Sequence, residues 1–137
     1  MTGVDEAGRS CIVEETELEF AAALPGIAAA GLFETSESPP PSRPPGQGEF
    51  LDLGVQPGLV RWMVLEFEPE HGFGMHHTDT VDFDTVLSGS IELTLDDGVH
   101  RLTPGDCVVM NGVDHAWHAG PDGCRLSVML FGTTPPG

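Results

Sequence analysis

The chain of 137 residues contains no lysine and no tyrosine, and its only fixed cations are five arginines, at positions 9, 43, 61, 101 and 125. Against them stand 22 Asp and Glu residues, for a formal net charge of −17. Such a surplus repels nucleic acid and anionic membrane, so neither is an expected partner. Cysteine is scarce as well. Cys11, Cys107 and Cys124 are an odd number without the C-x2-C spacing of a zinc site. No disulfide framework is expected, which points to a reducing compartment and a cytoplasmic location. Cys107 and Cys124 sit in apolar strand-like runs and are expected to be small buried hydrophobes. No stretch approaches the ~18 consecutive apolar residues of a membrane span. Met1 to Glu6 has neither the basic region nor the apolar run of a signal peptide.

What is abundant is glycine (18) and proline (12), beside a hydrophobic fraction of 39%. That is a turn-rich composition, suited to short strands rather than long helices. The length fits one domain, 1–137, able to bury a core without staples. Residues 1–58 read as an N-terminal arm, acidic at first, with a strand around Ser10 to Glu14. The Ala-rich run from Phe20 to Phe33 allows a short helix on either side of Pro25-Gly26, a pair that breaks any long one. Residues 34–48 form a Pro-rich loop, with Pro39-Pro40-Pro41 and Pro44-Pro45 favouring extended conformations. Phe50 to Leu53 reads as a further strand.

From residue 59 to 131 the pattern is regular. Strands are expected at Leu59 to Phe67, Val81 to Leu87, Ile91 to Leu95, Val99 to Leu102, Cys107 to Met110, Val113 to Ala119 and Cys124 to Phe131. Ser88-Gly89, Asp96-Asp97-Gly98 and Thr103-Pro104-Gly105-Asp106 are the expected turns. Turn signals every eight to twelve residues predict an all-β sandwich or barrel.

Two adjacent histidines and three aspartates crowd into residues 76–84. In an extended strand alternate residues share a face. His76, Thr78, Thr80, Asp82, Asp84 and Val86 then point one way, and His77, Val81, Phe83, Thr85 and Leu87 the other. A barrel interior lined by the first row is a ligand or metal site. The second cluster is Asp114-His115-Ala116-Trp117-His118, where His115 and Trp117 share a face. Neutral imidazole with carboxylate is a common donor set for Fe, Zn, Mn or Ni. His76, Asp82 and His115 are therefore the candidate metal ligands, with His77 and Thr78 as accessories. His118 joins these three as a candidate catalytic group. Thr80, Asp84, Val86 and Trp117 are the candidate substrate pocket. His71, beside Glu70, and His100, beside Arg101, are expected to be solvated.

These residues resemble the cupin superfamily, whose first motif reads G-x5-H-x-H-x3/4-E-x6-G and whose second reads G-x5-P-x-G-x2-H-x3-N. Asp82, seven before Gly89, stands at the family's glutamate. His76 matches the first histidine with Thr78 at the second, or His77 matches the second with Met75 at the first; either way one ligand is missing. Gly105-Asp106, Gly112 and His115 fit the second motif, while Met110 replaces its proline and Ala119 its asparagine. The likeness is greater to small cupins carrying H-x-T-D-T-[IV]-D-[FY] and H-A-W, and there it extends upstream to about Gly8-Arg9-Ser10. The resemblance implies a jelly-roll β-barrel, a homodimer and a small-molecule pathway, including specialised metabolism.

Three functions stay open at this point. One is an enzyme with a divalent metal on His76, Asp82 and His115, acting as an oxygenase or Lewis-acid lyase or isomerase. Another is a metal-free cyclase, isomerase, dehydratase or decarboxylase using His and Asp as acid and base. The third is a barrel that binds a small ligand without turnover.

Overall fold

In the computed structural model, residues 1–36 and 48–135 are described, and among them there is no helix. The polyproline stretch of the expected 34–48 loop lies outside the described residues. The barrel is built from one seven-stranded sheet. Two long strands carry it: β8, here Thr80–Leu95, and β11, His115–Gly132. The remaining strands are β5 (Glu49–Phe50), β6 (Val60–Phe67), β7 (Gly72–His77), β9 (Gly98–Leu102) and β10 (Cys107–Met110). The first half of β8 pairs with the second half of β11, flanked by β10 and β6. The second half of β8 pairs with the first half of β11, flanked by β9 and β7, with β5 parallel beyond β7. This is an all-β jelly-roll barrel, as expected.

Both long strands run through places where turns or breaks were expected. Gly89, at φ +74°, faces Gly123, also at +74°. A β-carbon on Gly89 would stand 2.0 Å from the Gly123 carbonyl oxygen. The backbones approach closely at an irregularity in pairing between Ala119 and Cys124, and each strand bends there from one wall to the other. Ser88-Gly89 is thus a bend within a strand, because the ladder resumes at once with Cys124 opposite Gly89.

Alternation builds the core. Ile91, Leu93 and Leu95 point inward and are buried, while Glu92 is exposed. They join Val86, Ala119, Leu126, Val128 and Leu130 in one apolar cluster and Val108, Met110 and Val113 in a second. The second is covered by a hairpin of β1 (Thr2–Val4) and β2 (Ser10–Ile12), whose Val4 and Ile12 pack on it. Thr2 Oγ1 donates to the Val109 carbonyl, and Ser10 exchanges two 2.8 Å hydrogen bonds with Asp96.

Three local expectations are corrected. The Ala-rich run forms a β-hairpin, β3 (Ala21–Leu24) and β4 (Ile27–Ala29), and no helix. Pro25-Gly26 is its turn, with Gly26 at φ +76°, where proline presets one dihedral and glycine supplies the positive one. Cys107 is exposed, because β10 turns Val108 and Met110 inward and so Cys107 outward; Cys124 is buried. The strand expected at Phe50 to Leu53 is the two-residue β5. Together with buried Val55, it ties the end of the arm into the barrel.

Candidate active site

β7 and the start of β11 pair antiparallel with His76 opposite His115. The two rings lie 4.2 Å apart between centroids, tilted by 54°. Each imidazole is tied to its own strand. His76 Nδ1 donates to the Gly74 carbonyl at 2.8 Å, and His115 Nδ1 to the Val113 carbonyl at 2.7 Å. A carbonyl only accepts, so the ring proton of each neutral imidazole sits on Nδ1 and the lone pair on Nε2. Phe73 meets the His76 ring edge-on at 4.7 Å, and Trp117 meets His115 at 5.7 Å. Burial lowers the His76 pKa below the usual 6.5, partly offset by the Gly74 carbonyl, so this imidazole is neutral at pH 7.

The chain turns at 78–79 before β8 begins, yet the expected row survives. His76, Thr78, Thr80, Asp82, Asp84 and Val86 are all buried. Thr78 and Thr80 share a 2.8 Å hydroxyl–hydroxyl hydrogen bond. Asp82 and Asp84 are 7% and 3% exposed, and each has an Oδ1 without a hydrogen-bond partner. Burial pushes Asp82 up to about 7, with a hydrogen bond from Thr80 pulling the other way. Asp84 is raised well above the usual carboxylate range, first by burial and then by the charge of Asp82.

These groups line a cavity of about 210 Å³ between the two walls of the barrel. His76, Thr78, Asp82, Asp84, His115 and Trp117 reach it. Its other walls are apolar: Met63, Leu65 and Phe67 from β6, Leu126, Val128 and Leu130 from β11, and Leu51, Leu53 and Phe73. His71 is exposed in a loop, as expected, and also borders the cavity. Its strand-edge position is set by the turn at Glu70, whose φ of +58° is unusual for a side chain, and by an Ala119 N–H bond to its carbonyl. No sequence pattern marks that turn. His100 is partly exposed and bonds Asp97.

Four candidates lie elsewhere or at the margin of the site. His118 is on the outer face of β11, with its side chain 48% exposed and Nε2 3.2 Å from Glu70 Oε2, because it alternates with inward Trp117. Val86 belongs to the apolar core, and Thr80 touches the site through its hydrogen bonds to Thr78 and Asp82. His77 turns to the other side of β7, with Nδ1 3.3 Å from Asp114 Oδ1 and its ring against Phe50.

The anchored rings of His76 and His115 are oriented as ion ligands commonly are. The third ligand is wanting. Among the described residues, no three His, Cys, Asp or Glu side chains come together as a group able to hold an ion. The expected set of His76, Asp82 and His115 is thus not gathered into such a group here, and Asp82 is a methylene shorter than the family's glutamate.

Residues 63–130 match the Cupin_2 family model, a cupin domain. Phomopsin biosynthesis cluster protein D of Diaporthe leptostromiformis is 38% identical over 77 residues, 56% of this chain and 37% of that protein. Cluster protein C′ of the same fungus is 37% identical over 62 residues, 44% of this chain and 33% of that protein. The match thus spans about a third of each relative's length. Among solved structures, the polyketide cyclase RemF from Streptomyces resistomycificus is 26% identical, with a TM-score of 0.49 over 56% of this chain and 57% of that one.

Proposed function

The chain belongs to the cupin superfamily through residues 63–130, and from that premise we propose that its cavity moves protons on a small organic molecule of a specialised-metabolite pathway. The pathway rests on the likeness to proteins of a fungal biosynthesis cluster. The chemistry rests on one observation: two facing imidazoles, each with Nδ1–H fixed by a backbone carbonyl and Nε2 left as the reactive nitrogen. Neutral His76 Nε2 is the base that takes a proton from carbon or hydroxyl. The adjacent His115 Nε2, also an acceptor, takes a hydrogen bond from a substrate hydroxyl and so orients it, and the proton returns from His76 at the product position. The apolar walls keep water from competing. Isomerisation, cyclisation with loss of water, and decarboxylation all need such steps.

The protein is proposed to work as a homodimer. Among the described residues β6 pairs with β11 alone, and Val60, Trp62 and Val64 are exposed beside its other edge. Its three free cysteines suit the cytoplasm, its proposed location.

The test is solvent-deuterium uptake. Small ketones and phenols are incubated with the protein in D2O, and exchange at carbon is followed by NMR, beside His76→Ala and His115→Ala. Exchange in the wild type that falls roughly 100-fold or more in either variant is the expected result. Exchange unchanged in both overturns the assignment. Elemental analysis of the same active protein checks the alternative. Near-stoichiometric iron, zinc, manganese or nickel, lost in His115→Ala, would restore the metal-dependent reading.

A further inference from the structure

Asp82 and Asp84 take no part in that proton transfer. The Nδ1 bonds of both imidazoles go to backbone carbonyls, and each carboxyl has an Oδ1 without a hydrogen-bond partner. Yet both line the same cavity, and both are more than nine-tenths buried. Two carboxyls two residues apart on one strand face are costly to bury unless something compensates them.

Thr80 gives Asp82 one hydrogen bond, which leaves most of that cost unmet. Asp82 is flanked across the sheet by Met110 and Leu130, and Asp84 by Val108 and Val128. Directly opposed side chains share a face, so both aspartates look along apolar neighbours. The described arginines are engaged elsewhere or exposed: Arg9 on Asp5, Arg61 on the Leu53 carbonyl, Arg125 on Glu66, and Arg101 at the surface. None of them lines the cavity, and the chain has no lysine. Each carboxyl keeps an oxygen with no donor.

A ligand that completes this site brings donors and positive charge. An anionic headgroup would meet two carboxyls and no cation. We propose that the cavity binds the ammonium group of an amine-bearing substrate, with Asp82 and Asp84 as its counter-ions and the apolar walls around a short carbon body. The net charge of −17 acts in the same direction, drawing cations toward the protein. The size agrees: a cavity of about 210 Å³ has room for a small organic amine. This assignment rests on the proton-transfer reading, because the amine's body would lie against His76 and His115.

The experiment compares three probes of one shape, 2-phenylethylamine, 2-phenylethanol and 3-phenylpropanoate, by calorimetry at pH 7.5 in two buffers of different ionisation enthalpy. The amine is expected to bind roughly tenfold or more tighter than the alcohol, the scale of a charge-assisted hydrogen bond, and the carboxylate weakest. Amine binding is also expected to release protons, because the ammonium ionises carboxyls that burial keeps protonated; the alcohol releases none. Asp84→Asn and Asp82→Asn, checked for folding by circular dichroism, should collapse the preference for amine over alcohol and the proton release together. An amine that binds no tighter than the alcohol, or a carboxylate that binds best, overturns the amine assignment and leaves the proton-transfer reading standing. If none of the three binds, both fail.

Discussion

His76 and His115 are direct partners across the β7–β11 ladder, and each fixes its ring by the same device, an Nδ1–H bond to the carbonyl two residues earlier. A main-chain anchor from the residue's own strand makes the tautomer independent of any other side chain. It also aims the remaining nitrogen away from the backbone. Two such rings at 4.2 Å form a preorganised pair.

The tautomers are directly observable. Long-range proton–nitrogen NMR spectra of imidazole-labelled protein should show Nδ1–H and a bare Nε2 in both residues above pH 7. His76 should titrate below 6.5, because burial disfavours its cation. The unfolded chain then binds more protons than the folded one as pH falls from about 6.5 toward the His76 pKa, so stability at this site is lost on acidification through that window. A His76 that carries its proton on Nε2, or titrates at or above 6.5, contradicts the anchoring described here.

The strand bend depends on two glycines. Gly89 needs a positive φ, and a β-carbon there would stand 2.0 Å from a backbone oxygen that cannot move aside. Gly89→Ala should therefore cost more than about 2 kcal/mol in urea unfolding, from the left-handed backbone and the clash together. Gly31→Ala, whose β-carbon meets nothing within 4 Å and whose φ is ordinary, is the control and should stay within about 0.5 kcal/mol. Equal midpoints for the two variants would show that β8 does not bend at Gly89.

The row from His76 to Val86 was readable from the sequence because period-two alternation survives even the turn at 78–79. The cupin motifs located His115, and burial follows them. What escaped was set by backbone events. His71 is exposed as expected, but that it borders the cavity was not legible, and it follows a positive-φ turn at Glu70 for which a glutamate gives no signal. The apolar walls contributed by Leu51 and Leu53 come from a segment whose strand is only two residues long. Whether Asp82 closes on the histidines depends on the distance between strands. Spacing along one chain does not carry that information. The Ala-rich hairpin misleads because alanine favours helix locally, while Pro25-Gly26 closes a two-residue turn.

The open edge of β6 gives the proposed dimer a single decisive residue. Trp62 is 73% exposed, between Val60 and Val64, with its indole nitrogen held 2.9 Å from Ser127 Oγ. Large exposed aromatics of this kind dominate interface energetics. Sedimentation equilibrium should find a dimer in the wild type, with Trp62→Arg weakening association by roughly 30-fold or more. A monomeric wild type at tens of micromolar would end the proposal.

The aspartate pair makes an unusual prediction for stability. Both carboxyls have folded-state pKa values above the ordinary 3.8, about 7 for Asp82 and well raised for Asp84. The folded protein therefore holds protons that the unfolded chain has released. The stability contributed by this pair is complete below about pH 4 and is lost as pH rises through 7 and beyond. The ordinary acid-labile carboxylate behaves in the opposite way. The general repulsion of a −17 chain also grows with pH, so wild-type melting alone does not separate the two. Asp84→Asn does, because the variant keeps the shape and most of the surface charge but has no carboxyl to ionise there. At pH 4.5 the two proteins should melt within about 2 °C of each other. At pH 8 the variant should melt higher, by roughly 4 °C for each kcal/mol of relieved burial. A variant less stable than wild type at pH 8 would mean that the Asp84 carboxylate is paired in the folded protein, and the amine site would lose its vacancy for a cation.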